Sequence, residues 1–134
     1  MMKGKKNELL TRSEFKNKVF ERQKGKCAFC DKKCVDAHHI LERKLFEDGG
    51  YYLDNGIGVC SEHHLMLEKD EITVEEAREV IGIENKILPK GFDENCVYDK
   101  WGNKFISNFE REKGPLFNDD GCKKALKMKL WMFL

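Results

Sequence analysis

Cys27-Ala-Phe-Cys30 and, after an insert of 29 residues, Cys60-Ser-Glu-His63-His64 are the stretches that decide how this chain is read. Each half sets two soft ligands across a tight turn, the spacing that metal knuckles use. Together they supply a tetrahedral set of Cys27, Cys30, Cys60 and His63, which points to a structural zinc ion. A closed set of four leaves no position for substrate, so its part is to contribute folding free energy. The chain has six cysteines and four histidines, and all the histidines and four of the cysteines fall between positions 27 and 64. A disulfide framework gives no reason to gather histidines there. The competing reading is buried free thiols acting as small apolar side chains. That reading suits Cys96 and Cys122, which have no partner motif, while Cys34 competes as a ligand.

Working outward, His38-His39 falls on a short strand expected over 35–41, and His63-His64 opens a helix expected from an N-cap at Ser61 to about Lys69. Adjacent strand residues point to opposite faces, so His38 and His39 share one site only where the strand ends or bends. Adjacent helix residues diverge by about 100°. His63 can therefore turn to the zinc while His64 turns to a second centre. That centre is His64 with His38, flanked by an unligated imidazole on His39. A metal with two imidazoles and open positions is a catalytic arrangement. A free imidazole beside it is a base near neutral pH. The alternative for any one of these is an ordinary surface or core histidine.

The remaining sequence frames this cluster. A chain of 134 residues and 15.7 kDa has room for one domain. Apolar residues are 40% and charged residues 37%, with 25 basic against 24 acidic, which excludes a basic tail or an acidic disordered segment. The balance conceals a polarised chain. Residues 1–26 carry nine Lys/Arg and three Asp/Glu, while residues 61–85 carry two and eight. The basic segment suits phosphate contacts, with a solvated helix face as the alternative.

Capping boxes at Thr11/Glu14 and Thr73/Glu76 predict helices over 11–23 and 73–81, the first with Phe15 and Val19 on its apolar stripe, the second stopped by Gly82. A second strand is expected over 56–60, with a loop over 42–55 that holds a helical turn near Leu45. Residues 83–118 read as irregular. A last helix is expected over 122–134, with Leu126, Leu130, Phe133 and Leu134 on one side. The fold class is α+β, in three parts: a basic helical segment 1–26, a metal-binding core 27–83 and an extension 84–134. The N-terminal lysines have no apolar stretch behind them and no run of about 20 apolar residues follows, so a cytoplasmic protein is expected, neither secreted nor membrane-spanning.

Cys27-x-x-Cys30, Asp36-Ala-His38-His39-Ile40, Asn55-Gly-Ile-Gly-Val-Cys60 and Ser-Glu-His63-His64 follow one another in an order that resembles the HNH endonucleases. These are the ββα-metal nucleases with a structural zinc, here of the small phage or bacterial type. The resemblance covers about 38 residues directly, and Tyr98-Asp-Lys-Trp-Gly-Asn103 adds a weaker likeness. It implies a ββα-metal core with zinc knuckles and flanking helices. It implies His39 as general base and Asn55 as the brace of the loop that orients it. His64 then matches the ligand of the catalytic divalent ion, and His38 stands where many members carry Asp. Cys27, Cys30, Cys60 and His63 match the structural zinc ligands, with His at a position more often Cys. His63 and His64 exchange roles if the helix starts one residue later. His at 38 makes the catalytic site softer, so Mn²⁺, Ni²⁺, Co²⁺ or Zn²⁺ competes with Mg²⁺.

The expected activity is hydrolysis of phosphodiester bonds in nucleic acid, DNA before RNA, with Arg43 and Lys44 as phosphate contacts. Tyr51, Tyr52 and Trp101 are candidates for base stacking, with core packing the plainer reading. The competing class is a non-catalytic zinc-stabilised module that binds nucleic acid or protein. The apolar end Leu130-Trp-Met-Phe-Leu134 either docks on the core, pairs with a second copy or meets a protein partner.

Overall fold

Two short strands with glycine on one face and bulky residues on the other explain how this chain is layered. The computed structural model describes residues 8–133, apart from the side chains at 128, 130 and 131. Strands β1 (Asp36–His39) and β2 (Gly56–Val59) pair antiparallel, with Asp36 opposite Val59, His38 opposite Ile57 and His39 opposite Gly56. The two-residue period puts Asp36, His38, Ile57 and Val59 on one face and Ala37, His39, Gly56 and Gly58 on the other.

Helix α1 (Arg12–Arg22) lies on the glycine face. Its capping box is formed as read: Glu14 N–H donates to Thr11 Oγ1 at 3.1 Å, and Thr11 N–H donates to Glu14 Oε1 at 2.9 Å. Phe15 and Val19 are buried against the ribbon. A Cβ on Gly56 would sit 2.6 Å from Val19 Cγ2 and 2.7 Å from the Phe15 ring, so only glycine admits the helix this closely. The Gln23 carboxamide follows the helix and pairs with Gly58, donating to its carbonyl at 2.8 Å and accepting from its N–H at 2.7 Å. Together with Ala28 N–H, which donates to the same carbonyl at 3.0 Å, this closes the outer edge of β2 at Gly58.

Helix α2 (Ser61–Glu68) covers the other face, and α3 (Val74–Val80) adds Val74 and Ala77 to the same core. Ile40, Leu41, Ile57, Val59, Leu67, Val74 and Ala77 form one core with Cys27 and Cys60. The helix starts at Ser61, so the N-cap is Cys60, one residue before the expected Ser61, and it makes no side-chain cap bond. The Cys60 thiol is committed elsewhere, to the cluster described below.

Beyond Gly82, whose φ of +70° ends α3, the chain is largely irregular. Two features were not expected there. Strands β3 (Lys104–Phe105) and β4 (Arg111–Glu112) pair antiparallel but are too short to leave a periodic signal. The last helix is also shorter and earlier than the predicted 122–134. Helix α4 covers Asp120–Ala125, capped by Asp119, and gives way to a 3-10 segment over Lys127–Met132. Asp119 accepts from Gly121 N–H at 2.8 Å, an N-cap placed three residues ahead of Cys122. Trp101, Cys122 and Leu126 form a small separate core, against which Phe133 packs. The expectations for Leu130, Trp131, Leu134 and the first seven residues lie outside what is described.

The extension is locked to the rest by buried charge. Arg111 donates to Asp70 at 2.6 Å and to Asp99 at 2.7 Å, and all three are nearly inaccessible. Lys129 adds a bond to Asp70 at 3.1 Å. The described residues thus form a small α+β domain with four α-helices and two two-stranded antiparallel sheets. None of its helices is long and apolar enough to cross a membrane.

Candidate metal centres and catalytic cleft

Cys27, Cys30, Cys60 and His63 converge, their ligand atoms all within 4.8 Å of one another. The Cys30 and Cys60 sulfurs are 3.7 Å apart, and His63 Nδ1 is 3.5 Å from Cys27 Sγ and 3.2 Å from Cys60 Sγ. A tetrahedron around a metal about 2.3 Å from sulfur and about 2.0 Å from nitrogen has edges of about 3.8 Å and about 3.5 Å. The residues present therefore fit a metal ion. Backbone bonds shape the first half: Phe29 N–H donates to Cys27 Sγ at 3.4 Å, and Ala28 N–H ties the knuckle to the Gly58 carbonyl at 3.0 Å. Burial pushes the Cys60 thiol up, but hydrogen bonds from the His63 backbone and ring and from Cys30 and Cys27 outweigh it and bring it down to about 6. A thiolate, the ligating form, is thus available at neutral pH. Cys34 stands outside the cluster, its sulfur 3.9 Å from Gln23 Nε2.

A second group forms on the far side of α2. Asp36, His38 and His64 bring their ligand atoms within 4.8 Å of one another. His64 Nε2 is 3.5 Å from Asp36 Oδ2 and 3.3 Å from Glu68 Oε1, while His38 Nδ1 is 3.7 Å from Glu68 Oε1. His38 is 4% exposed, and its Nε2 has no hydrogen-bond partner. Burial first, then the charges of Lys100, His64 and His39, hold its imidazole well below the usual histidine range. It is neutral at physiological pH, the form that ligates a metal. The sequence reading named His38 and His64 but missed the two carboxylates. Both carried a signal: Asp36 precedes His38 by two on a strand, and Glu68 follows His64 by four on a helix, each therefore on the same face.

His39 faces the other way, stacked on Phe15 with centroids 4.8 Å apart and edge-on to Tyr51 at 4.8 Å. Its Nε2 meets the Gly49 carbonyl at 3.1 Å, which sets the Nε2–H tautomer and leaves a lone pair on Nδ1. Burial, and next the Lys100 charge, push the imidazole down to about 4. Both faces nevertheless reach one open cleft of about 610 Å³. All four β1 residues line it and no β2 residue does, so it runs along the free edge of β1 between α1 and α2. That edge resolves the sequence-level conflict over two adjacent histidines.

Asn55 sits behind the cleft, 1% exposed. Its Oδ1 accepts from Leu41 N–H at 3.0 Å, and its Nδ2 donates to the Leu41 carbonyl at 3.1 Å and the Gly50 carbonyl at 3.2 Å. It thereby fastens both ends of the loop that presents Gly49 to His39. Of the two expected cations, Arg43 lines the cleft, while Lys44 turns to Asp119 at 3.1 Å and does not. Arg12, Lys16 and Lys100 line it as well. Tyr51 reaches the cleft, Tyr52 bonds Asp48, and Trp101 is core.

No protein-family model, curated protein or solved structure matches the chain. The functional reading therefore rests on the residues and their geometry.

Proposed function

We propose that this protein is a metal-dependent endonuclease of the HNH type, hydrolysing phosphodiester bonds in nucleic acid, DNA before RNA. One observation carries the reading. A neutral, oriented imidazole on His39 and a histidine–carboxylate cluster on the opposite face open into one cleft rimmed by Arg12, Lys16 and Arg43. A structural scaffold requires neither the free Nδ1 nor the open cluster.

In this reading Asp36, His38 and His64, with Glu68 adjacent, hold the catalytic divalent ion. When bound, the ion supplies a Lewis acid for the scissile phosphate. The oxygen donors make the site harder than two imidazoles alone, which favours Mg²⁺ and Mn²⁺ beside Ni²⁺ and Zn²⁺. His39 Nδ1 accepts a proton from the attacking water, and the Gly49 carbonyl holds the ring in the required tautomer. An imidazole held near 4 is a weak base, and a phosphate anion in the cleft favours its protonated form, opposing the effect of burial. Asn55 keeps the Gly49–Gly50 loop in place. Cys27, Cys30, Cys60 and His63 hold a structural zinc ion, one per chain.

The test is incubation of purified protein with supercoiled plasmid and single-stranded DNA across Mg²⁺, Mn²⁺, Ni²⁺ and EDTA, beside His39→Ala. Cleavage by wild type that EDTA and His39→Ala both abolish supports the reading, provided the variant stays folded. Equal activity, or equal inertness, overturns it. Metal analysis is expected to find close to one tightly held zinc, and finding none removes the structural site.

A further inference from the structure

Lys100 is a buried lysine in a place where a lysine is costly. It is 4% exposed and comes from the extension, yet it lines the cleft. Its Nζ donates to Glu42 Oε2 at 2.7 Å and lies 4.6 Å from the centroid of the Trp101 ring. An ammonium has three protons to donate, and these two contacts leave donor capacity on a side chain that lines the cleft. Replacing a buried ion pair by apolar residues is often neutral or stabilising, so the pair by itself is weak evidence of a stability role.

The surroundings hold this one side chain in place. Asp99 Oδ1 accepts from Trp101 N–H at 3.0 Å and from Asn103 N–H at 2.9 Å, and Gly102, at a φ of +85°, lets the chain turn tightly around Lys100. Arg111 fixes Asp99 and, through Asp70, the end of α2. On the other side the Lys100 carbonyl accepts from Glu42 N–H at 2.9 Å, three residues beyond His39. The turn is thus clamped both to the helix that carries His64 and to the loop that follows His39.

We propose that Lys100 forms a phosphodiester-binding subsite in the cleft, so that the extension adds a buried cation to those of Arg12, Lys16 and Arg43 at its rim. Glu42 positions the ammonium and neutralises it while the cleft is empty. A phosphate oxygen then takes the remaining donor. This deepens the nuclease reading and rests on it for its ligand.

The experiment measures binding of a short labelled DNA duplex without added divalent ion, over a salt series, for wild type, Lys100→Gln, Lys100→Arg and Glu42→Gln, with thermal melts and zinc content as fold controls. Lys100→Gln is expected to weaken binding about tenfold and to lower the salt slope by about one. Lys100→Arg is expected to restore both. Glu42→Gln is expected to bind as tightly as wild type or more tightly. Unchanged affinity and slope in folded Lys100→Gln overturn the proposal. So does an equal loss in Glu42→Gln, which marks the pair as a strap. Should Lys100→Gln not fold, lysine-labelled wild type titrated with inorganic phosphate decides: a shifted Lys100 side-chain resonance supports the subsite and an unmoved one overturns it. Wild type that binds DNA through Lys100 but cuts nothing sinks the nuclease reading alone. Wild type that cuts while Lys100→Gln binds and cuts equally well sinks only the subsite.

Discussion

Asn55→Ala removes three hydrogen bonds from a side chain that is 1% exposed. The Leu41 N–H is left without a partner in a buried place, which costs about 1–3 kcal/mol. The Leu41 and Gly50 carbonyls each lose one donor, at about 1 kcal/mol apiece. The sum is about 3–5 kcal/mol, a large share of the roughly 5–15 kcal/mol that holds a domain together. At about 3 °C per kcal/mol for a chain of this size, the melting temperature is expected to fall by about 10–15 °C. Asn55→Asp sharpens the test. It keeps the shape and the acceptor toward Leu41 N–H, but it turns an oxygen toward two carbonyls, so it is expected to be no more stable than Asn55→Ala. Urea titration of both variants, each with its metal content measured, gives the stabilities. Because Gly50 follows the residue whose carbonyl holds His39, the proposed nuclease activity is expected to fall about 100-fold at a temperature where the variant is still folded. Losses within about 1 kcal/mol, or full activity in the folded variant, refute the idea that Asn55 holds the base through the loop.

Arg111→Met leaves Asp99 buried without its cation and Asp70 with Lys129 alone, so stability at pH 7 is expected to drop by about 3–5 kcal/mol. Burial already raises the Asp99 carboxyl, so protonation on mild acidification is expected to recover part of that loss, and a drop under about 1 kcal/mol contradicts the clamp. Cys122, 1% exposed and pushed by burial from 9.0 to about 11, gives an alkaline signature. The unfolded thiol ionises first, so the unfolded state binds fewer protons between these values and stability falls with rising pH, by about 3 kcal/mol at most. Urea titrations at several alkaline pH values are expected to show a shallower fall for Cys122→Ala, and equal slopes contradict the assignment.

The parts of this fold set by neighbours a few residues apart were legible in the chain. Both capping boxes, the two strands and the Cys27–Cys30 and Cys60–His63 pairings depend on spacings of one to four residues, which sequence displays directly. Asp36 and Glu68 belong to the same class and were overlooked rather than hidden. Lys100 was hidden. It meets Glu42 across 58 residues, and its turn is held by Arg111, itself tied to Asp70 across 41. No local pattern announces such contacts. The same holds for Lys44, whose basic neighbourhood suggested a phosphate while its actual partner is Asp119, 75 residues away.

Both clusters draw a ligand from the first turn of α2, His63 for one and His64 for the other. His63 and His64 are neighbours on a helix, so their side chains leave it about 100° apart. A metal gripped by Cys27, Cys30, Cys60 and His63 therefore sets the rotation of α2, and with it the aim of His64 and of Glu68 one turn on. The same grip ties α2 to the knuckle that Ala28 fastens to Gly58, on the strand paired with His38 and His39. The Cys27–His63 cluster and the cleft are in this sense one construction. With an ion bound at each cluster, as proposed, loss of the first would remove the register on which the second depends, even though the two clusters share no ligand.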